Sequence, residues 1–392
     1  MRFPIHRFTC GLILGLCTIT SMATAEQRVG TSSPLAVHVQ GNHLVDQNGA
    51  TVRLLGVNRP GAEYMCQWNQ IFDGPMLNPQ AIAAIKSWHV NAVRVPLNED
   101  CWLGNLAIQN DVTGARYQNA IVAYVERLNA AGIYAILDLH FNAPGNYPAT
   151  QTQLMADADH SAAFWISVAT KFKQYPAVVF DVFNEPGAGQ KVDVPPDGID
   201  WACWLNGCSV QSNIGNNTTI TWTTAGMQSL VTAVRSTGAT QPIMLGGLWS
   251  ASDLSEWLAN EPSDPLTNSP NNPVKGQPQL AASWHTYCLN KCSPSDLKKA
   301  EATWSAVATV SQSVPVIIGE FGEFDCATTY VTPLLNFADE HGLSYLGWAW
   351  IARKCGIPNS VCALLPNQAS AYMTGAPSKY GIGLKNHLAG TN

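Results

Sequence analysis

Val178-Val179-Phe180-Asp181-Val182-Phe183-Asn184-Glu185-Pro186 is the stretch on which the fold turns. Five of its first six residues are apolar, and the run stops on Asn-Glu-Pro. A Val- and Phe-rich run of this length reads as a strand buried on both faces, as in a parallel sheet. Pro186 has no N–H to give to a ladder, so the strand ends there. Asn184 and Glu185 are thereby set at the strand's carboxyl end, where α/β barrels carry their chemistry. Val316-Ile317-Ile318-Gly319-Glu320 has the same form. Two apolar strands that each end on a glutamate point to a pair of catalytic carboxylates.

Outward from these two strands, apolar runs alternate with helical patterns. The expected strands are Leu54–Asn58, Ala92–Pro96, Ala135–His140, Val178–Glu185, Ile243–Gly247, Ala281–His285, Val316–Glu320 and Tyr345–Trp348. Helical patterns lie between them at Asn78–Trp88, Tyr117–Ala131, Ser161–Tyr175, Thr221–Ser236, Asp296–Val310 and Val331–His341; the connection around Ser252–Trp257 carries the weakest. An N-terminal β-hairpin is expected over Val37–Val57, with Asn48-Gly49 as its turn signal. Eight strands alternating with helices predict an α/β fold, a (β/α)8 TIM barrel. A doubly wound open sheet is the alternative. It is disfavoured because polar residues end most of the strands and need one shared mouth. No repeat or linker marks a second domain, so residues 35–392 are read as one catalytic domain.

The composition narrows the function. The 392 residues are 46% hydrophobic and 12% charged, with a formal net charge of −6. So few basic residues argue against nucleic acid or an anionic membrane as partner. Thirteen Trp suit flat neutral ligands such as sugars. Arg2, Arg7, the largely apolar Cys10–Met22 and Ala23-Thr24-Ala25 read as a secretory signal over residues 1–25. The apolar run is too short and interrupted to span a bilayer. The expectation is a soluble, secreted protein, extracellular or periplasmic, that begins near Glu26. Its residues 26–34 are polar and expected to be disordered.

Glycoside hydrolysis needs two carboxyl groups that flank one bond, one of them raised in pKa to act as acid. Glu185 and Glu320 are far apart in sequence, yet a barrel brings both to its mouth. At a separation of about 5–5.5 Å the reaction retains configuration, with Glu320 attacking the anomeric carbon. Mutual repulsion would keep one proton on the pair, which suits Glu185 as acid and then base. Strand-end glutamates that merely form salt bridges are the bland alternative.

With these motifs in hand, the chain resembles glycoside hydrolase family 5, the cellulase-type retaining β-glycanases, from the Asn48-Gly49 hairpin to Trp348. Phe183-Asn184-Glu185-Pro186 matches that family's acid/base strand, which implies Glu185 as acid/base and Asn184 as partner of the sugar 2-hydroxyl. Ile318-Gly319-Glu320-Phe321-Gly322 matches the nucleophile strand. Asn91-Ala92-Val93-Arg94-Val95-Pro96 matches the strand whose arginine supports the nucleophile. Asp138-Leu139-His140 and Trp284-His285-Thr286-Tyr287 match the two histidines and the nucleophile-side tyrosine, and Trp348 looks like the aromatic floor beside the cleavage point. Gly187 departs from the pattern, where a larger side chain is more usual.

The residues also carry physical roles of their own. Arg94 is a permanent cation able to hold Glu320 ionised, or else a structural partner inside the barrel. His140 and His285 end barrel strands, Tyr287 is placed to donate to Glu320, and Trp348 is preferred to Trp350 as the cleft aromatic. Asp138 is read as orienting other groups. Trp68, Trp102, Trp201, Trp204 and Trp249 are candidates for outer subsites. The long segment Gly187–Thr219 is expected to wall one side of the cleft. Asn216-Asn217-Thr218-Thr219 holds two overlapping glycosylation acceptor patterns.

Nine cysteines remain after the signal, all in loops on the catalytic face. In an exported protein they read as disulfides: Cys203–Cys208, Cys288–Cys292, Cys66–Cys101 and, more weakly, Cys355–Cys362, with Cys326 as the odd thiol. His285, Cys288 and Cys292 mimic a zinc spacing, but no fourth ligand is near and no metal is expected.

The chain thus reads as a secreted, cofactor-free, monomeric endo-β-1,4-glucanase acting on a polysaccharide or oligosaccharide by double displacement. A β-mannanase or exo-β-glycosidase with the same mechanism is the alternative, since loops set specificity. A non-catalytic carbohydrate-binding barrel and a metal-dependent hydrolase are the readings from other classes.

Overall fold

In the computed structural model, residues 34–191, 193–215, 217–288, 292–354 and 363–391 are described, with Met1 and Pro4. The expected signal and polar segment, Cys355, Cys362 and Asn216 lie outside them.

Eight parallel strands close on themselves. They are β1 (Leu55–Asn58), β2 (Ala92–Asn98), β3 (Tyr134–Phe141), β4 (Val178–Asp181), β5 (Ile243–Gly246), β6 (Leu280–Cys288), β7 (Val316–Glu323) and β8 (Ser344–Gly347). Each pairs with its neighbours in sequence, and β8 closes on β1. The (β/α)8 barrel therefore stands, and the open sheet is excluded.

Seven flanking helices return the chain: α1 (Pro79–Lys86), α2 (Ala115–Ala130), α3 (Ser161–Phe172), α4 (Met227–Ser236), α5 (Pro294–Val310), α6 (Val331–Glu340) and α7 (Gly381–Gly390). Local chemistry sets their starts. Asn78 caps α1 by accepting from the Gln80 N–H, with Pro79 in the first turn. Ser293 and Asp296 form a capping box on α5. After β5 there is no full helix, only the four-residue turn Leu248–Ala251 and a short 3₁₀ turn, Leu258–Asn260.

The period of two within each strand sorts side chains into two environments. Val93, Val95, Phe180 and Ile318 face outward into the layer shared with the helices. Ala92, Ile136, Val179, Met244, Ala281, Ile317 and Leu346 face inward and form a separate core at the barrel's base. The N-terminal sheet (Val37–Gln40, His43–Asp46, Thr51–Val52) plugs that end. Its Val37, Val39 and Leu44 join the inner core, and Gln279 clamps Val39 through both its N–H (2.8 Å) and its carbonyl (3.0 Å). Asn48-Gly49 makes the expected turn, but the hairpin ends at Val52, and the chain from Leu55 belongs to the barrel.

Three further boundaries differ from expectation. Strand β4 ends at Asp181, four residues before Glu185, because Asn184 instead donates its N–H to Leu139 of β3 (3.1 Å). Thr221–Thr223 is strand, not helix: Thr219–Thr223 pairs with Ser209–Asn213 in a surface hairpin. The β-branched alternation of Thr219-Ile220-Thr221-Trp222-Thr223 favours a half-buried strand over a helical turn. The segment Gly187–Thr219 thus carries structure, including a short helix, Trp201–Asn206.

Disulfides join Cys66 to Cys101, Cys203 to Cys208 and Cys288 to Cys292. Cys326 is also disulfide-bonded, so the expectation that it is the odd thiol is corrected. Cys288 and Cys292 have no thiolate to offer zinc. Among the described residues no helix is long and apolar enough to cross a membrane.

Candidate active site

The strands that put small apolar residues at the base put ionisable ones two and four residues further up. Ile136 is followed inward by Asp138 and His140; Ala281 by Ser283, His285 and Tyr287; Ala92 by Arg94; Val179 by Asp181. Strict alternation fails on β7. Ile317 faces in and Ile318 out, which would turn residue 319 in and Glu320 out. A bulge at Gly319 shifts the register between Ile318 and Phe321, so Glu320 turns inward and Phe321 packs outward. Only glycine fits there: a Cβ would lie 2.8 Å from both His285 Nε2 and Ser283 Oγ.

Arg94 is the buried hub. Its Nε donates to Asp181 (2.8 Å), Nη1 to Glu320 (2.6 Å) and Asn58 (3.1 Å), and Nη2 to Asn184 (2.9 Å). Nη2 also lies 3.1 Å from Asp138. Burial pushes the carboxyls of Asp138 and Asp181 upward against the pull of this one cation. The sequence reading named Asp138 as an orienting residue. It overlooked Asp181 and Asn58, whose inward phase beside Val179 and Val57 was the available signal.

Glu320 keeps only 5% of its side-chain surface exposed, and Tyr287 Oη donates to its other oxygen at 2.6 Å. Burial, followed by the Glu320 charge, holds the Tyr287 hydroxyl far above its ordinary pKa, so it stays a donor. Glu185 retains 24% exposure and lies 3.2 Å from His285 Nδ1. Its pKa is raised by burial. One carboxylate oxygen each of Glu185 and Glu320 and one ring nitrogen of His285 all lie within 4.8 Å of one another. These three residues are the group at the cleft able to offer ligand atoms to a cation, although both Glu320 oxygens are already engaged by Arg94 and Tyr287. His140 gives Nδ1–H to Asp138 Oδ2 at 2.6 Å and stacks on Trp348, the rings 5.6 Å apart and 10° from parallel. Burial lowers the His285 pKa to about 3 and that of His140 to about 4, so both rings are neutral near pH 7.

Glu185, Glu320, His140, His285, Tyr287, Asn184 and Trp348 share a cavity of about 550 Å³ with Thr152, Trp249, Ser250, Ser252 and Phe324. Thr152 and Phe324 were not foreseen, since they come from loops without a pattern. The tryptophans divide. Trp249 lines the cavity, held on a left-handed turn through Ser250 and Ala251. Trp68 is exposed on the surface. Trp102 and Trp204 are fully buried, their indole N–H groups bonded to Ser167 Oγ (3.0 Å) and the Gly246 carbonyl (2.8 Å). Trp201 packs edge-on against Trp204 and is buried too. These three are core residues of the loop layer, not subsite platforms. Trp350 is buried against Trp88. Gly187 has φ +76°, and a Cβ there would meet the Gln190 side chain at 2.8 Å, which accounts for the small residue after Pro186.

Two further cavities adjoin the catalytic cavity. It shares Thr152 with a cavity of about 770 Å³, and Trp249 and Ser252 with one of about 360 Å³.

Comparison with known proteins places this geometry. Endoglucanase N of Pectobacterium atrosepticum is 23% identical over 195 residues, 47% of this chain and 37% of its own length. Endoglucanase B of Acetivibrio thermocellus is 27% identical over 167 residues, 38% of this chain and 29% of its own. The chain thus spans about a third of the length of the curated relatives it matches. Among solved structures, a β-glucanase of Saccharophagus degradans in complex with cellotetraose superposes with a TM-score of 0.64 at 20% identity, covering 92% of this chain and 94% of that one. An endocellulase of Pyrococcus horikoshii gives 0.63 at 18% identity, covering 91% and 99%. The model of the family described as Cellulase (glycosyl hydrolase family 5) matches residues 45–354, most of the chain. The chain belongs to glycosyl hydrolase family 5, the cellulase family.

Proposed function

We propose that the protein is a secreted endo-β-1,4-glucanase that cleaves its substrate by double displacement. The observation that carries the mechanism is the separation of the two carboxylates, within 4.8 Å at their nearest ligand atoms. That proximity supports direct attack, the short carboxyl separation being the mark of a retaining enzyme. Glu320, hydrogen-bonded by Arg94 and Tyr287, attacks the anomeric carbon as an ionised carboxylate. Glu185, raised in pKa by burial, gives its proton to the departing oxygen. With the leaving sugar gone, Glu185 takes a proton from water, which then displaces Glu320 and restores it. Asn184, fixed by Arg94 and Thr152, is aimed for the 2-hydroxyl, and Trp348 offers the flat face under the sugar.

An endo mode is supported by the two cavities that adjoin the site at Thr152 and at Trp249, since a chain cut internally needs room for both of its parts. The solved relative in complex with cellotetraose favours a β-glucan over mannan. Export is supported by the disulfides and by the N-terminal signal pattern. The test is the proton NMR spectrum of cellotetraose early in hydrolysis. First-formed β-anomer is expected; first-formed α-anomer would overturn the double displacement, and cleavage of mannan in preference to cellotetraose would move the specificity.

A further inference from the structure

The cavity beyond Thr152, about 770 Å³, is larger than the catalytic one, and double displacement does not use it. Its walls are Gln190 and Lys191, on the segment leaving Glu185, and Gln211, Asn213 and Thr219 of the surface hairpin. Thr152 is the doorway. Its Oγ donates to the His140 carbonyl (2.9 Å) and accepts from Asn184 Nδ2 (3.1 Å), so the lobe opens beside the groups that would hold the reacting sugar.

The two adjoining cavities differ in chemistry. The smaller cavity offers the indole of Trp249 with Leu254, Ala306 and Val307, a face of the kind the C–H groups of a main-chain sugar ring prefer, beside the polar Ser252, Asp253, Ser255 and Thr303. The larger lobe has no aromatic side chain among its described lining residues and is dominated by amides and hydroxyls, with the Lys191 ammonium and the Asp197 carboxylate as its one charge of each sign. Among the described residues the Lys191 and Gln211 side chains make no internal hydrogen bond, which leaves their donors for a ligand. The walls are preformed: Gln211 N–H bonds the Pro196 carbonyl at 2.6 Å, and the Gln190 amide oxygen accepts the Ile199 N–H at 3.1 Å. The volume lies in the range of small-molecule sites, roughly 300–1,000 Å³.

We propose that this lobe is a subsite for a hydroxyl-rich branch of the glucan, an uncharged sugar carried on the main chain, so that branched β-glucans are preferred over linear ones. The inference rests on the glucanase reading above. The experiment compares cellotetraose with cellotetraose bearing α-1,6-xylosyl branches, on the wild type and on a Lys191→Ala/Gln211→Ala variant. Both kcat/KM and calorimetric Kd are recorded. The wild type is expected to favour the branched substrate, and the variant to lose that ratio by about tenfold, the effect of one or two hydrogen bonds. If the wild type cleaves cellotetraose with no preference for the branched form, or the variant leaves the ratio unchanged, the lobe is not a branch subsite and the glucanase reading stands. If neither oligosaccharide is cleaved but branch-dependent binding is lost in the variant, the glucanase reading fails and the lobe survives. Neither cleavage nor branch-dependent binding overturns both.

Discussion

Glu185 and Glu320 carry the same side chain in two housings, and the difference sets their chemistry. Burial raises the pKa of Glu185, so its proton persists above the ordinary glutamate range. An acid that must be protonated gives the alkaline limb of a kcat/KM profile, and that limb is expected above the usual carboxylate region. Glu185→Gln should lower cleavage of cellotetraose by roughly 10²–10⁴-fold while sparing aryl β-glucosides with good leaving groups, and should erase the limb; equal losses on both substrates would contradict the acid role. Glu63 makes a stability case. It is wholly buried, accepts the Gly61 N–H at 2.7 Å, and is pushed up to about 8 by burial. The folded state therefore binds its proton more tightly than the unfolded chain. Its contribution is fully present below about 4.5 and is lost as pH rises toward about 8. Glu63→Gln should flatten the fall in Tm across that window, by thermal melts at pH 5 and pH 8; an unchanged pH dependence would show that Glu63 stays ionised.

At the scale of elements, the strands were legible because apolar runs ending on Asn-Glu-Pro and Gly-Glu have few other homes. Six helices were legible from periodicity, while Thr221–Thr223, read as the start of a helix, belong to the strand Thr219–Thr223. The bulge at Gly319 was not legible. A strand of alternating phase would have turned Glu320 to the helices, and only pairing with β6 and β8 sets the shift. The disulfides tie catalytic-face loops of different length. Cys66–Cys101 spans 35 residues and Cys203–Cys208 five. On chain entropy alone the first stabilises by about 4 kcal/mol and the second by about 2. Paired Cys→Ala variants should lower Tm in that order, measured by calorimetry; a larger loss at Cys203–Cys208 would show that local packing, not loop closure, dominates.

Over the whole molecule, one barrel mouth holds a cavity lined from six strands or the loops that follow them, with a second cavity adjoining at Thr152 beside the surface hairpin and a third at Trp249. Space adjoining the site at both Thr152 and Trp249 predicts mid-chain cutting. The viscosity of carboxymethyl-cellulose should fall well before reducing ends accumulate, with a ladder of oligosaccharides as product. Release of a single short product with slow loss of viscosity would instead mean that one of these spaces is closed to the chain.

The sequence by itself determined the barrel and the strand-end places of Glu185 and Glu320 through a period of two and a terminating proline, and two disulfides through short cysteine spacing; Arg94, the two histidines and Tyr287 were legible from motif resemblance, and Cys66–Cys101 bridges 35 residues. Tertiary structure alone decided which tryptophans line the cleft. Trp102, Trp201 and Trp204 lie in catalytic-face loops as Trp249 does, yet they are buried while Trp249 lines the cleft. An indole is apolar enough for a core and flat enough for a sugar, so its neighbours in space choose between the two roles. The polar lobe beyond Thr152 was likewise invisible in the chain, since its walls come from segments that fold back from about 20 to 60 residues apart and carry no pattern of their own.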